Sequence, residues 1–172
     1  IIFTLLDCEK PIIAKINGPA VGLGATLGLF CDVVFADEAT YIADPHVSIG
    51  MVAGDGGAVI WPQLIGFARA KEFLLTGDRI AARRAAEIGL INHALPAAEL
   101  TAAVDAFADR LVAGSTKAIR WTKVTVNIAL KQLAHSMMDT GLAYEALTNV
   151  SEDHRKRVKG FLERAAGGGK PR

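Results

Sequence analysis

Residues 11–36 read PIIAKINGPAVGLGATLGLFCDVVFA, an apolar segment interrupted by two glycine turns. The runs at 11–17 and 31–36 are short, rich in β-branched residues and bounded by turn residues, a pattern typical of buried strands. Between them, the glycine turns lead into a compact apolar helix predicted from about Gly24 to Phe30. A strand, a glycine turn, a short helix and a second strand in this order constrain the segment to an α/β core.

The pattern changes near residue 77, where short strands with glycine turns give way to helices. Two more strands are predicted at 40–43 and 90–95, with short helices at 58–66, 68–77 and 81–89 between them. From Pro96 onward, helices are predicted at 97–114, 115–133, 135–150 and 152–165. We therefore expect a core with the active-site loops over 1–95, a helical region over 96–166 and a frayed tail over 167–172.

The composition limits the classes of function. Of the 172 residues, 51% are hydrophobic and 22% are charged, which is enough apolar material for a sizeable core. A formal net charge of +1 without a basic stripe gives no sign of nucleic-acid binding. The apolar run from Ile12 to Phe35 is broken too often by glycines and polar residues to span a membrane. No nucleic-acid or membrane partner is therefore expected.

The cysteines and the first residues predict a compartment. Cys8 and Cys31 are the two cysteines, and they form no metal-binding or disulfide-scaffold motif. This favours a reduced, cytoplasmic location and argues against a metal site. The chain begins at Ile1 without the features of a signal peptide. We expect that it lacks the amino-terminal part of its protein.

The glycine turn before the predicted helix is compatible with several roles. Backbone N–H groups at a helix start can bind an anion or stabilise a developing oxyanion. A dinucleotide-binding fold is a rival, yet after Gly22 and Gly24 the third glycine of its motif falls one position late, at Gly28. The predicted helix is also short for a βαβ crossover. Turn geometry without any binding role is the remaining interpretation.

A set of motifs in order along the chain narrows these alternatives. The motifs are KP (10–11), NGPAVGLG (17–24), CDVVFA (31–36), a loop that begins at Pro45, GDGG (54–57), LTGDRIAARRAAEIGLIN (75–92) and EDHRKRVKGFLER (152–164). Together they resemble the crotonase superfamily, the enoyl-CoA hydratase/isomerase family, over nearly the whole chain. The resemblance implies a spiral of ββα units with a carboxy-terminal helical region that packs in trimers, often hexamers. It also implies an acyl-CoA substrate, with coenzyme A as part of that substrate and no separate cofactor.

The resemblance assigns an oxyanion hole to the glycine turn. Members of the family hold the thioester oxygen between two backbone N–H groups, and the second of these maps to Leu23. The first maps to a segment upstream of this chain, so the chain alone is expected to be inactive. The substrate-binding positions implied by the resemblance are Ala20, Val21, Gly22, Gly24, Pro45, Gly54 and Trp61. For Trp61, a place in the core is the alternative.

The chain departs from the family pattern at the catalytic carboxylates. Enoyl-CoA hydratases of the best-known type use two glutamates, and their positions hold Thr26 and His46 in this sequence. We expect His46 to move protons or to activate water, with Asp55 on its other ring nitrogen as the orienting carboxylate. The β-diketone hydrolases of the superfamily resemble this pairing. Other roles remain open: His46 as an ordinary loop histidine, and Asp55 as part of a turn.

These residues predict an acyl-CoA-processing lyase of the enoyl-CoA hydratase/isomerase type. The alternatives are a β-diketone C–C bond hydrolase without coenzyme A and a catalytically silent relative retained for assembly. Asp44, which precedes Pro45, is interpreted as an ordinary turn start. The remaining histidines, His93, His135 and His154, are expected at the surface or at an interface. Three basic side chains of the last helix are expected on a solvated face, or near the phosphates of coenzyme A: Lys156, Lys159 and Arg164.

Overall fold

The computed structural model describes residues 1–166, and the tail predicted at 167–172 lies outside them. Within that range the chain forms seven α-helices. They are α1 (Ile2–Asp7), α2 (Leu23–Leu29), α3 (Gly57–Thr76), α4 (Ala82–Glu87), α5 (Ala97–Val112), α6 (Thr116–Asn149) and α7 (Glu152–Ala166). A 3-10 turn at His46–Ile49 follows the fourth strand.

Six short strands form two small sheets within the described residues. The strands are β1 (Ile13–Ile16), β2 (Ala20–Val21), β3 (Val33–Asp37), β4 (Tyr41–Ala43), β5 (Ile80–Ala81) and β6 (His93–Leu95). One sheet is parallel throughout, in the order β1-β3-β6, and the other has the order β2-β4-β5 with β2 and β4 parallel and β5 antiparallel. The four predicted strands are present, whereas β2 and β5, of two residues each, were not predicted.

A single apolar core joins both sheets to the helices. Its buried members come from α1, both sheets and the helices α2, α3, α4 and α6, and include Leu29, Ile42, Trp61, Leu90 and Met138. These side chains are apolar, so the free energy of burial, about 25 cal/mol per Å² of apolar surface, holds the layers together.

One helical prediction differs from the structure and another agrees with it. The segments predicted at 115–133 and 135–150 form one continuous helix, α6, of 34 residues. No proline separates them, and the hydroxyl of Ser136 donates to the carbonyl of Leu133 inside the helix, so the polar pair His135–Ser136 does not end it. In α3, the helix is interrupted at Gly66 (φ 79°, ψ 157°), which accounts for the two separate helices predicted there.

Helix α6 is anchored to the amino-terminal part of the core by a half-buried ion pair. The Lys123 ammonium lies 2.7 Å from the Asp32 carboxylate and donates to the carbonyl of Lys10. The same carboxylate accepts a hydrogen bond from the backbone N–H of Ile12, 2.6 Å away. Because Lys123 is only 9% exposed, its charge depends on these partners.

None of the described helices is long and apolar enough to cross a membrane.

Candidate active site

Two adjacent parallel strands bring the predicted site residues together. In the β2-β4 pair, Val21 lies beside Ala43, and the N–H of Gly22 donates to the carbonyl of Ala43 over 3.0 Å. The glycine turn after β2 and the loop after β4 therefore leave the sheet side by side. The first places Leu23 at the start of α2, and the second carries His46.

The imidazole of His46 lies against the glycine turn. A Cβ atom added at Gly22 would be 3.6 Å from Cε1 and 4.0 Å from Nε2 of His46. Gly22 also has a positive φ of 55°, which side-chain-bearing residues rarely adopt. Glycine at this position thus permits the turn, and the ring lies in van der Waals range of it. The N–H of Leu23, next in the chain, has no hydrogen-bond acceptor among residues 1–166.

Asp44 is the carboxylate that orients His46. Nδ1 of the imidazole forms a short hydrogen bond with Oδ1 of Asp44, which is buried at 1% exposure. Because a carboxylate only accepts hydrogen bonds, this contact assigns the Nδ1 proton and leaves Nε2 for the opposite side of the ring. The interpretation of Asp44 as an ordinary turn start does not account for this contact, and the orienting position predicted for Asp55 is occupied by Asp44. Pro45 restricts the chain between the two partners.

Asp55 faces the other nitrogen of the same ring. Its Oδ2 lies 3.6 Å from Nε2 of His46, an ion-pair distance slightly longer than a hydrogen bond. Its Oδ1 accepts hydrogen bonds from the hydroxyl of Thr26 (3.1 Å) and from the N–H of Gly57 (3.3 Å). The fully buried Thr26, at the position where the family's glutamate was expected, therefore holds Asp55 in place. Asp55 and His46 are brought together, as the sequence predicted, but on the Nε2 side.

These surroundings favour the imidazolium form of His46. The hydrogen bond to Asp44 raises the pKa of His46 above its ordinary value, and this effect outweighs partial burial, which lowers it. The negative charges of Asp44, Asp55 and Glu145 raise the pKa further. His46 is therefore a stronger base than a free histidine and keeps its proton to a higher pH.

The same three residues lie close enough together to be a candidate metal site. Asp44, His46 and Asp55 each offer a ligand atom within 4.8 Å of the others. However, the two carboxylates lie on opposite nitrogens of one ring, and Nδ1 is already engaged by Asp44. Ligands of one ion must converge on a common point. The arrangement fits a carboxylate–imidazole–carboxylate relay better than a metal centre.

The predicted substrate-binding positions fall into two groups. Val21 and Gly24 are exposed beside the glycine turn, Pro45 is half-buried at the start of the 3-10 turn, and Ala20 and Gly54 are buried next to the site. Trp61 is different, because it is completely buried within the core and its ring centroid lies 5.9 Å from that of Phe73. The structure thus supports the alternative of a core residue for Trp61.

The other histidines lie outside the His46 site. His93 is exposed beside Phe35, and His135 is exposed and stacked on Phe3. His154 is half-buried, and its Nδ1 lies 2.7 Å from the carbonyl oxygen of Ile49 at the end of the 3-10 turn. Through this contact, α7 supports the turn that carries His46. The three basic residues of α7, Lys156, Lys159 and Arg164, are exposed as expected.

Two functional candidates were not found from the sequence. Asp44 lies two positions before His46, and the Asp-Pro-His spacing could have indicated a local carboxylate–histidine contact. Glu145, on α6, contributes to the electrostatics of His46 from almost a hundred residues away in the sequence. No local pattern in the sequence marks it.

Sequence comparisons show which family of proteins this chain is similar to. The family described as enoyl-CoA hydratase/isomerase matches residues 2–167. The chain is 36% identical over 162 residues to YngF of Bacillus subtilis, a protein named as an enoyl-CoA hydratase/isomerase by assignment. The aligned region covers 93% of this chain and 62% of that protein. The chain is 32% identical over 168 residues to crotonyl-CoA hydratase of Syntrophomonas wolfei, with 95% and 63% of the two chains covered. The chain thus spans somewhat less than two thirds of the length of these relatives.

Solved structures share the fold. The chain superposes on an enoyl-CoA hydratase/isomerase from Mycobacterium paratuberculosis with a TM-score of 0.85 and 41% identity, over 93% of this chain and 64% of that one. An enoyl-CoA hydratase from Mycobacterium avium subsp. paratuberculosis gives a TM-score of 0.91 at 27% identity, over 95% and 66%. These likenesses confirm the predicted crotonase-like α/β fold with a carboxy-terminal helical region. The chain belongs to the enoyl-CoA hydratase/isomerase family.

Proposed function

We propose that the protein processes acyl-CoA thioesters by chemistry of the enoyl-CoA hydratase/isomerase type, with His46 as the group that moves protons. The observation that carries this proposal is the position of the imidazole. Its Nε2 edge lies against Gly22, one residue before the free N–H of Leu23. A carbonyl bound at that N–H would place the neighbouring carbons within reach of Nε2.

The oxyanion role of Leu23 follows from the family resemblance and is supported by the free N–H at the start of α2. A donor aimed at a thioester oxygen stabilises the enolate that forms when water or another nucleophile adds to the double bond. His46, with Nδ1 held by Asp44, can accept the proton of that water at Nε2. Asp55, 3.6 Å from Nε2, then stabilises the imidazolium.

A second candidate is the β-diketone C–C bond hydrolase. It is favoured by one specific observation: neither of the two expected glutamates is present, and the histidine with its two aspartates is suited to activating water for attack on a carbonyl. This reaction requires no coenzyme A. Both candidates use the same residues, so the substrate distinguishes them.

The test uses the full-length protein with two substrates, crotonyl-CoA and a cyclic β-diketone. Turnover of crotonyl-CoA that falls in His46→Gln supports the proposed function, and retention of full turnover in that variant refutes the role of His46. Diketone cleavage that is lost in His46→Gln and Asp55→Asn, without turnover of crotonyl-CoA, establishes the second candidate. Absence of both activities in a folded protein refutes both and favours a silent relative with an assembly role.

We further infer that the full-length protein assembles as a homotrimer or hexamer and works in the cytoplasm. The assembly is supported by large apolar side chains on α6 and α7 that this single chain leaves exposed. These include Trp121 (61%), Val126 (68%), Leu147 (64%) and Leu162 (60%). Light scattering of the purified protein tests the assembly, and a monomer at micromolar concentration would refute it.

A further inference from the structure

Helix α6 touches the loop of the candidate site through its backbone. A Cβ atom added at Gly54 would overlap the carbonyl oxygen of Gly141, and one added at Gly141 would be 3.0 Å from the carbonyl oxygen of Gly54. The two glycines therefore allow helix and loop to meet without side chains between them. A hydrogen bond of 3.2 Å from the N–H of Val52 to the hydroxyl of Thr148 fastens the same loop to α6.

Glu145 lies on the helix face that this contact turns toward the site. It follows Gly141 by one helical turn, and residues four apart share a face. A Cβ atom added at Gly54, the residue next to Asp55, would be 2.9 Å from the Cβ of Glu145. The carboxylate is half-buried, and its Oε2 is inaccessible to solvent and has no hydrogen-bond partner among the described residues.

The charges around Glu145 are mostly negative. The groups of the site that act on it are Asp44, after β4, His46, in the 3-10 turn, and Asp55, before α3. Oδ2 of Asp55 is likewise buried without a hydrogen-bond partner. The charges of three carboxylates thus act on one imidazole, which can neutralise only one of them. A buried, unpaired carboxylate is costly, and a bound proton removes that cost.

The direction of the pKa of Glu145 agrees with this arrangement. Burial raises the pKa above that of an ordinary glutamate, Asp55 and Asp44 raise it further, and His46 partly offsets the increase. The pKa values of Glu145 and His46 are thus both raised from their ordinary values, and perturbed pKa values cluster at sites of proton transfer.

We propose that Glu145 is a further acid–base residue of this site, supplied by α6, which gives a proton to the substrate while His46 accepts one from water. The inference rests on the proposed function, because hydration of an enoyl thioester needs both transfers. Glu145 thereby supplies a carboxyl group from an element that lies outside both positions of the family's glutamates.

The transfers balance as follows for hydration. The water oxygen forms a bond to Cβ of the enoyl thioester, its proton passes to Nε2 of His46, and the double-bond electrons move into the enolate. The carboxyl proton of Glu145 then forms the new C–H bond at Cα. Transfer of the His46 proton to the Glu145 carboxylate, directly or through water, restores both residues.

The variants Glu145→Gln and Asp139→Asn, the latter an exposed acid on the same helix, test the inference in the full-length protein. Glutamine keeps the size and polarity of the side chain but cannot transfer a proton. We expect kcat/KM for crotonyl-CoA to fall by about 100-fold or more in Glu145→Gln with a small change in KM. The decline of activity at high pH that reflects loss of the Glu145 proton should disappear. Asp139→Asn should match the unmodified protein.

A carboxyl 13C titration of the unmodified protein and Glu145→Gln provides a readout that does not depend on turnover. The signal absent from the variant should titrate above the ordinary range of glutamate. If it titrates at or below that range, or if Glu145→Gln stays within twofold of Asp139→Asn in kcat/KM, the inference is wrong while the proposed function stands. If the unmodified protein hydrates no enoyl thioester, the proposed function fails, and so does the transfer to substrate that rests on it.

Discussion

Replacing Asp44 by Asn tests whether this buried carboxylate sets the basicity of His46. Asparagine has nearly the same shape, so the loop after β4 can keep its path, but the side chain carries no charge. The hydrogen bond from Nδ1 of His46 to Oδ1 of Asp44 is the largest influence on the imidazole, and it raises the pKa. Without it, the pKa of His46 should fall, and the histidine should lose its proton at a lower pH.

The magnitude follows from the type of bond. A hydrogen bond to a charged group contributes about 1.5–3 kcal/mol, and the exposure of Asp44 is only 1%, so solvent screens little of it. If this interaction is fully formed in the transition state, where His46 carries its extra proton, kcat/KM should drop roughly ten- to a hundredfold, since about 1.4 kcal/mol corresponds to a factor of ten. The rise of kcat/KM with pH should also begin at a lower pH in the variant.

The assay combines imidazole NMR titration of His46 with turnover of crotonyl-CoA across pH. Asp105→Asn, on the exposed face of α5, is the matched control and should change neither quantity. An Asp44→Asn protein that is folded, with an unchanged His46 titration, would show that Asp44 does not set the state of the imidazole. A fall in rate without any shift in titration would assign Asp44 a purely geometric role and refute the electrostatic argument.

Three further predictions concern the stability of the fold. Gly54→Ala should lower the free energy of unfolding by about 2 kcal/mol, because the added Cβ would overlap the backbone of α6. Gly18→Ala is the control and should change little, because Gly18 has open space around it; thermal unfolding compares the two variants. Lys123→Met should cost about 2–3 kcal/mol in urea unfolding, because it removes a half-buried ion pair, whereas Lys159→Met, at an exposed site, should cost less than about 0.5 kcal/mol. The raised pKa of His46 stabilises the fold below pH 6.5, and this contribution is lost as the pH rises through the folded-state pKa. His46→Gln should therefore flatten the decline of the free energy of unfolding above pH 6.5, measured by urea unfolding across pH.

Each of these has an outcome that would contradict it. Equal melting temperatures for the two glycine variants would mean that α6 can move away from the loop at no cost. A Lys123→Met protein as stable as the Lys159→Met control would mean that the pair contributes nothing beyond its desolvation. An unchanged pH dependence in His46→Gln would mean that the surrounding carboxylates do not bind the imidazolium more tightly in the folded state.

The sequence alone determined the fold through patterns that are local. Short β-branched runs with glycine turns predicted the strands at 33–37 and 41–43, and the glycine turn predicted the start of α2. These predictions hold because each depends on neighbouring residues. The two-residue strands β2 and β5 were not predicted, because two residues are too few to show a periodicity. The continuity of α6 was not predicted, because the polar residues at its middle are typical of a helix boundary, although none of them ends the helix.

The positions of His46 and Asp55 in one site could also be predicted, since the family motifs fix where each lies. The sequence could not decide which nitrogen of His46 each carboxylate would face. That depends on the parallel pairing of β2 with β4, which aims the ring at Gly22, and on the buried Asp44, which takes Nδ1 first. Side-chain direction within a loop is set by the packing around it.

Only the tertiary structure brought Glu145 to the site. Local patterns describe residues within a turn or two of each other, whereas this glutamate lies almost a hundred positions from His46. Its approach requires that two glycines, Gly54 and Gly141, allow two backbones to touch. The sequence by itself therefore determined the strands, the glycine turn and the histidine that marks the site. The folded chain decided how many carboxylates act on that histidine, because burial and charge act through space.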